Sequence, residues 1–445
     1  MIPWIELFIV LTCLYVGARY GGIALGVISG IGLAILVFGF QMKPGTPPTT
    51  VIYIIIAAVT TAGILQASGG MDFLIQIAEK LLRKHPNRIT FLAPYCTFFL
   101  TVLCGTGHVV YTLTPIIADI ALKKGIRPER PVAVSSIASQ VGITCSPIAA
   151  AVVSFATMTA DNGFSISILQ ILSVTIPSCM LGLFFAALYS NRRGLDLDKD
   201  PEYQKRLQDP ELKHYMFGET ATLMNKELPK SAKTSVLMFF AALVVIGLLA
   251  SFPELLPKFG EKAKPLSMSL VIQIVMLCTG GLILLVCKIK PKDIVSGSVW
   301  QAGMVAVVAI YGIAWLSDTY FSTHISSMKS GINTMVQGAP WAFAFALFGV
   351  SVLINTQGGT VLAVMPLGFS LGIPVTVLVG ILPSVYGYFF IPNYPSDIAS
   401  MNFDRSGTTK IGKYLLNHSF MAPGLISVIT SCTFGYFWAK VIVGA

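Results

Sequence analysis

Long apolar runs separated by short charged breaks dominate the chain, and the lengths of those runs predict its elements. A bilayer-spanning helix needs about 20 mostly apolar residues. Runs of that kind lie near 3–18, 22–40, 50–66, 131–160 and 166–190, and again near 235–252, 267–287, 298–316, 374–404 and 416–438. The pattern predicts five crossings in each half. Between the third and fourth crossing of each half lies one more apolar stretch, 89–122 or 340–372, long enough to enter and return but interrupted by Gly and polar residues. Both are expected to be re-entrant hairpins.

The expected fold class is therefore an all-α polytopic membrane protein of two repeats, 1–190 and 235–445. The joining segment, 191–234, mixes both charge signs with few large apolar residues and reads as a cytoplasmic linker. An odd number of crossings before it makes the second half start from the opposite side, so the repeats are expected to be inverted. Internal similarity supports the division. Gly105-Thr106-Gly107-His108 leads to Pro115, a Gly125-Ile126 turn and Cys145-Ser146-Pro147. Thr356-Gln357-Gly358-Gly359 leads likewise to Pro366, Gly372-Ile373 and Asn393-Tyr394-Pro395. Each half thus repeats hairpin tip, Pro, Gly-Ile turn and interrupted helix, and corresponding interruptions are a sequence pointer to a transporter's binding site.

Composition narrows the class. Of 445 residues 54% are hydrophobic and 11% charged, against roughly 25% charged in soluble domains. The net charge of +10 does not indicate nucleic acid, because the basic residues sit in loops between apolar segments rather than on a solvated face with interleaved aromatics. With the N-terminus outside, 24 of the 30 Lys and Arg fall in cytoplasmic loops, as the positive-inside rule requires. Both termini are then periplasmic. Residues 1–8 lack the basic region of a cleavable signal, so the first apolar segment is expected to remain. The eight cysteines form no C-x-x-C pair, and neither zinc nor a disulfide framework is indicated.

Four chain breaks fall at membrane depth: the tips around Thr106, Gly107 and His108 and around Asn355, Thr356, Gln357, Gly358 and Gly359, and the helix interruptions around Thr144 and Ser146 and around Asn393, Tyr394, Ser396 and Asp397. Each break starts a half-helix whose free N–H groups and positive dipole end suit a carboxylate. Singly, each break also reads as a Gly/Pro kink whose polar side chains satisfy freed carbonyls. Four breaks paired by an internal repeat favour a transport site. Pro147 and Pro395 each fit a first helical position, which would put Ser146 at one N-cap and Asp397 third in the other half-helix. Asp397 then has two readings, compensation of its own helix or an intramembrane coupling carboxylate. His108 reads either as a satisfied buried side chain or as a ligand and coupling group. Asp318 and His324 are assigned to a solvated outer face, and Arg83, Arg127 and Arg130 to positive-inside placement. Gly22, Gly26 and Gly30 share a helical face and predict close helix packing. Residues 407–413 nearly match a phosphate loop, but Tyr414 replaces the required Ser/Thr. H-E-x-x-H and G-x-S-x-G are missing, so a membrane hydrolase lacks its usual residues.

Several motifs carry a family resemblance: Cys104-Gly105-Thr106-Gly107-His108-Val109-Val110-Tyr111-Thr112, Gly125-Ile126-Arg127-Pro128-Glu129-Arg130-Pro131, Tyr394-Pro395-Ser396-Asp397 and Phe403-Asp404-Arg405-Ser406-Gly407-Thr408-Thr409. Together they resemble the bacterial anaerobic C4-dicarboxylate transporter family, most nearly its B type, over almost the whole chain. Alanines are commoner in that family at Gly358-Gly359, and Thr at Asn393. The resemblance implies an inner-membrane carrier exchanging fumarate, malate or aspartate for succinate in anaerobic respiration. It also implies the hairpin-containing fold of the ion-transporter superfamily, a homodimer with scaffold and elevator-like transport domains, and a sensor-kinase partner. No cofactor or metal is expected; a proton is the expected coupling ion, with sodium left open. The alternatives are a carrier of the same fold for another organic anion, a sodium/proton exchanger, or, from another class, a membrane enzyme or sensor subunit.

Overall fold

Gly, Pro and charge interrupt the apolar runs, and the helices end at those interruptions. The structure is a computed structural model that describes residues 2–20, 22–164, 166–218, 222–259, 264–392, 394–412 and 417–444. Asn393 and the Lys413-Tyr414 end of the near phosphate loop lie outside the described residues.

The first half runs α1 (Ile2–Tyr20), α2 (Ala24–Ala34, extended by a π-helical turn Ile35–Gly39), α3 (Thr49–Ala67), α4 (Gly70–Lys84), α5 (Ile89–Cys104), α6 (Val109–Lys123), α7 (Glu129–Val141), a 3-10 turn Gly142–Cys145, α8 (Ala150–Asp161) and α9 (Ile168–Ser190). Two short helices, α10 (Pro201–Gln208) and α11 (Pro210–Phe217), follow; Asp200 and Asp209 cap them through their side chains. The second half runs α12 (Lys230–Ser251), α13 (Met268–Cys287), α14 (Pro291–Val295), α15 (Ser298–Gly338), α16 (Phe343–Ile354), α17 (Gln357–Ser370), α18 (Val375–Gly380), a 3-10 turn Leu382–Val385, α19 (Pro395–Phe403) and α20 (Met421–Ile442). Lys258–Phe259 and Lys264–Pro265 pair as a two-residue antiparallel ribbon.

Among the described residues eight helices are long and apolar enough to cross a membrane. Seven answer to predicted crossings, and the eighth, Pro86–Cys104, contains an arm of the first predicted hairpin. The first two predicted crossings are shorter apolar helices, and 374–404 is broken into α18, a 3-10 turn and α19. Apolar side chains point outward without protein partners, Phe38 at 84% and Leu285 at 71% exposure, a surface that calls for lipid.

Three expectations need correction. Residues 70–84 form a helix, α4, where a loop was expected. Apart from the buried Glu79, its charge lies on one side, while Met71, Leu74, Ile75, Ala78 and Leu82 are buried on the other. His324 is not on a solvated face, whereas Asp318 is half-buried beside exposed Thr46. Asp318 Oδ2 accepts the Thr46 N–H at 2.7 Å, and His324 Nε2 lies 2.5 Å from Glu6 Oε2, joining α1 to α15. Of Gly22, Gly26 and Gly30 only Gly26 packs closely: a Cβ there would lie 2.0 Å from the Val308 carbonyl oxygen, whereas Gly22 and Gly30 face open space.

Candidate substrate site

Both hairpin tips are built by residues in the left-handed backbone region. Gly105 ends α5 at φ 72°, and its missing Cβ makes room for Ile148, whose Cγ1 would otherwise be 2.7 Å away. Asn355 ends α16 at φ 53°, a conformation that Asn tolerates better than most side chains. Thr356 then caps α17, its hydroxyl accepting the Gly359 N–H at 3.5 Å.

The two tips meet around Gln140 of α7. Gly107 lies so close that a Cβ would be 2.3 Å from Gln140 Nε2. From the second tip, Gln357 Nε2 donates to the Gln140 backbone carbonyl at 2.7 Å and to Tyr388 Oη at 3.2 Å. Tyr388 donates in turn to Gln140 Oε1 at 2.8 Å, and Gln140 Nε2 reaches Ser396 Oγ at 3.4 Å. One closed amide–phenol network therefore ties the second tip to both broken helices, and the first tip packs against it through Gly107.

Beside this network lies a cavity of about 600 Å³ whose walls include Thr106, Gly107, His108, Asn355, Thr356, Gln357, Gly358 and Tyr394. Four helix N-termini border it: α6 behind His108, α8 at Ala150, α17 at Gln357 and α19 at Pro395. Each presents the positive end of a backbone dipole and unpaired N–H groups. No Asp or Glu is among the lining residues, and hydroxyl, amide and imidazole groups with the Arg19 guanidinium supply the rest of its polar wall. The arrangement is chemically suited to an anion.

The other nominated residues sit behind this wall. Thr144 donates to the Val141 carbonyl at 2.9 Å and is fully buried. Ser146 is also fully buried and is not an N-cap: α8 begins at Ala150 with Ala149 before it, so Pro147 is not its first residue. The chain leaves the 3-10 turn extended at Ser146 and needs three more residues to re-enter a helix. Gly359 is buried under Thr356, and Ser396 is spent on Gln140. Asp397 is third in α19, as expected, since Pro395 opens that helix. It is 1% exposed; Oδ1 accepts from Ser136 at 2.7 Å, and Oδ2 has no partner among the described residues. It backs the cavity without lining it. His108 stacks on Tyr111, ring centroids 5.7 Å apart, and both line the cavity.

Sequence reasoning missed Gln140, Tyr111, Tyr388, the Ala150 N-terminus and Arg19, all in the wall. Tyr111 alone carried a signal, lying four residues past the Gly107 tip on the same helix face as His108. Arg127 was placed correctly at the base of α7 but is not free for anions, being 7% exposed and paired with Glu129 and Asp200.

Known proteins carry this arrangement further. Residues 2–443 match the family model described as anaerobic C4-dicarboxylate membrane transporter. The chain is 48% identical over 442 residues to the anaerobic C4-dicarboxylate transporter DcuB of Escherichia coli O6:H1, covering 99% of each chain. It is 37% identical over 437 residues to the C4-dicarboxylate transporter DcuA of Escherichia coli K12, covering 97% of this chain and 98% of the relative. Among solved structures, the Alcanivorax borkumensis YdaH transporter superposes with a TM-score of 0.59 at 14% identity, over 99% of each chain; at that identity the likeness is one of fold. On the family match and these full-length identities, the chain belongs to the anaerobic C4-dicarboxylate membrane transporter family.

Proposed function

We propose that this protein carries four-carbon dicarboxylates such as fumarate, malate, aspartate and succinate across the bacterial inner membrane, and is a transporter rather than an enzyme. The observation that carries the reading is the convergence of four helix N-termini on one cavity free of acidic side chains. A dicarboxylate needs two anion sites. Termini contributed by both halves of the chain offer them without a buried cation, whose desolvation would be costly. The same wall argues against a sodium/proton exchanger, which would have to bring a cation among positive dipole ends.

The mechanism we propose is exchange by alternating access, with fumarate or another C4 acid taken up against succinate and net uptake linked to protons. The two halves would act as inverted repeats, with α1–α3, α12, α13 and α15 as scaffold and the hairpins, broken helices, α9 and α20 as a moving unit, in a homodimer with periplasmic termini. The recurrence of hairpin, helix, 3-10 turn and second helix in both halves supports this division. Radiolabelled succinate counterflow in proteoliposomes tests the function: saturable uptake stimulated by internal fumarate is expected, and its absence in folded protein would overturn the reading.

A further inference from the structure

Among the residues that line the cavity only Arg19 carries a fixed charge. It stands in the last turn of α1, exposed, and forms no ion pair among those recorded for the described residues. Gly22, also exposed, is in the same lining, whereas Gln357 and Tyr388 in that lining are 3% and 1% exposed. The cavity is thus graded: a guanidinium at its mouth, neutral donors and helix N-termini at its depth. A cation in the last helical turn also complements the helix dipole, and that alone would make Arg19 unremarkable. Helix compensation does not, however, require the side chain to border a cavity otherwise lined by neutral groups.

We infer that Arg19 is the electrostatic gate of one mouth of the transport path, attracting and orienting the dianion on that side only. The inference rests on the dicarboxylate-carrier reading above and adds a sidedness to it. The four N-termini come from hairpins and broken helices, while Arg19 belongs to α1, which packs chiefly on α2. Once substrate leaves by the opposite mouth it has left Arg19 behind. A single charge at a cleft mouth concentrates anions and speeds their capture, and salt suppresses the effect as the screening length falls from about 10 Å at 0.1 M to about 3 Å at 1 M.

The experiment is succinate exchange by the full chain in proteoliposomes of defined orientation, with KM measured separately on each face. Arg19→Gln is expected to raise KM roughly tenfold on the Arg19 face at low ionic strength, with the change shrinking near 1 M salt and the other face unchanged. Arg19→Lys should preserve most of the wild-type KM. Arg19→Cys provides a test within one folded protein: a cationic methanethiosulfonate should restore the low KM and an anionic one should raise it further, with the native cysteines controlled by treating wild type. Equal KM changes on both faces, no change on either, or indifference to the sign of the attached group would overturn the gate. Failure of wild-type protein to exchange succinate would instead overturn the carrier reading, so the two failures are distinguishable.

Discussion

Gln140 touches three separate segments with one side chain, which makes it the residue whose loss should be felt most widely. Gln140→Ala leaves the Tyr388 hydroxyl, 1% exposed, without its acceptor, a loss worth about 1–3 kcal/mol. That cost falls on the folded protein with or without substrate, so we expect the membrane-extracted protein to unfold at a lower temperature, with succinate binding measured calorimetrically weakened as well because the second tip and Tyr388 lose a shared anchor. Asp397 presents a different question. A dianion at the α19 N-terminus would meet like-charge repulsion from an ionised Asp397 just behind it, and protonation removes that conflict. Asp397→Asn keeps an acceptor for Ser136 but cannot release a proton. It should retain fumarate–succinate exchange and lose acid-stimulated net uptake in liposomes; retained acid stimulation would move the coupling group elsewhere. At this scale the sequence was legible wherever Gly or Asn interrupts an apolar run, as at Thr106–His108 and Asn355–Gln357. It was silent for Gln140 and Tyr388, which lie in ordinary buried segments and gain their role only when distant segments meet. Ser146 misled because a Ser-Pro pair is a helix-start signal, yet the chain here makes a turn at Pro147-Ile148 and enters α8 only at Ala150.

Among the helices, α3 with α4 and the single helix α15 answer the same task differently. The first pair breaks at Gly69, φ 83°, and α4 turns away with its apolar face buried. In the second half 41 residues continue as one helix, about 61 Å at 1.5 Å per residue, twice the hydrocarbon thickness of roughly 30 Å. The hydrophobic pattern located the apolar part of each element, but not α4, whose charged side resembles a loop until the 3.6-residue period is counted. The glycine stripe on α2 shows the opposite limit. Equal spacing put Gly22, Gly26 and Gly30 on one face, but only Gly26 meets α15, opposite Gly312. Gly26→Ala forces that crossing apart and should destabilise by about 1–3 kcal/mol; Gly30→Ala, with nothing within reach, should be neutral or slightly stabilising in a thermal-shift measurement.

On the scale of the molecule, the segment read as a cytoplasmic linker is fastened to both halves. Arg127 pairs with Glu129 at 2.7 Å and with Asp200 of the linker. Arg193 bonds the His418 and Ser419 carbonyls, and Arg206 bonds that of Ser406. Further on, Leu223 N–H and Thr222 hydroxyl donate to the buried Glu79 carboxylate. Composition revealed the charges but not these distant partners, which lie 73 to 226 residues away. Burial pushes the Asp200 carboxyl up, but N–H donors from Tyr203 and Glu202 and the Arg127 guanidinium outweigh it and hold it below the usual carboxylate range. Because the folded value is depressed, its contribution is fully present above the unfolded value of about 3.9 and lost only as pH falls through the folded one. Hydrogen-exchange protection across 195–208, corrected for the intrinsic pH dependence of amide exchange, should therefore be the same at pH 7 and pH 5, and Asp200→Asn should lower it at both. The acid-free cavity wall has a last consequence, for membrane potential. With Asp397 in one protonation state throughout, and Arg19 on α1 outside the proposed moving unit, no charged side chain of that unit lining the site offsets a bound dianion, so a loaded crossing carries two charges that an empty one lacks. Against 100 mV those two charges amount to about 4.6 kcal/mol. Dianion-for-dianion exchange should accordingly generate no steady current on a solid-supported membrane, whereas any one-way dicarboxylate flux without protons should be driven outward by an inside-negative voltage.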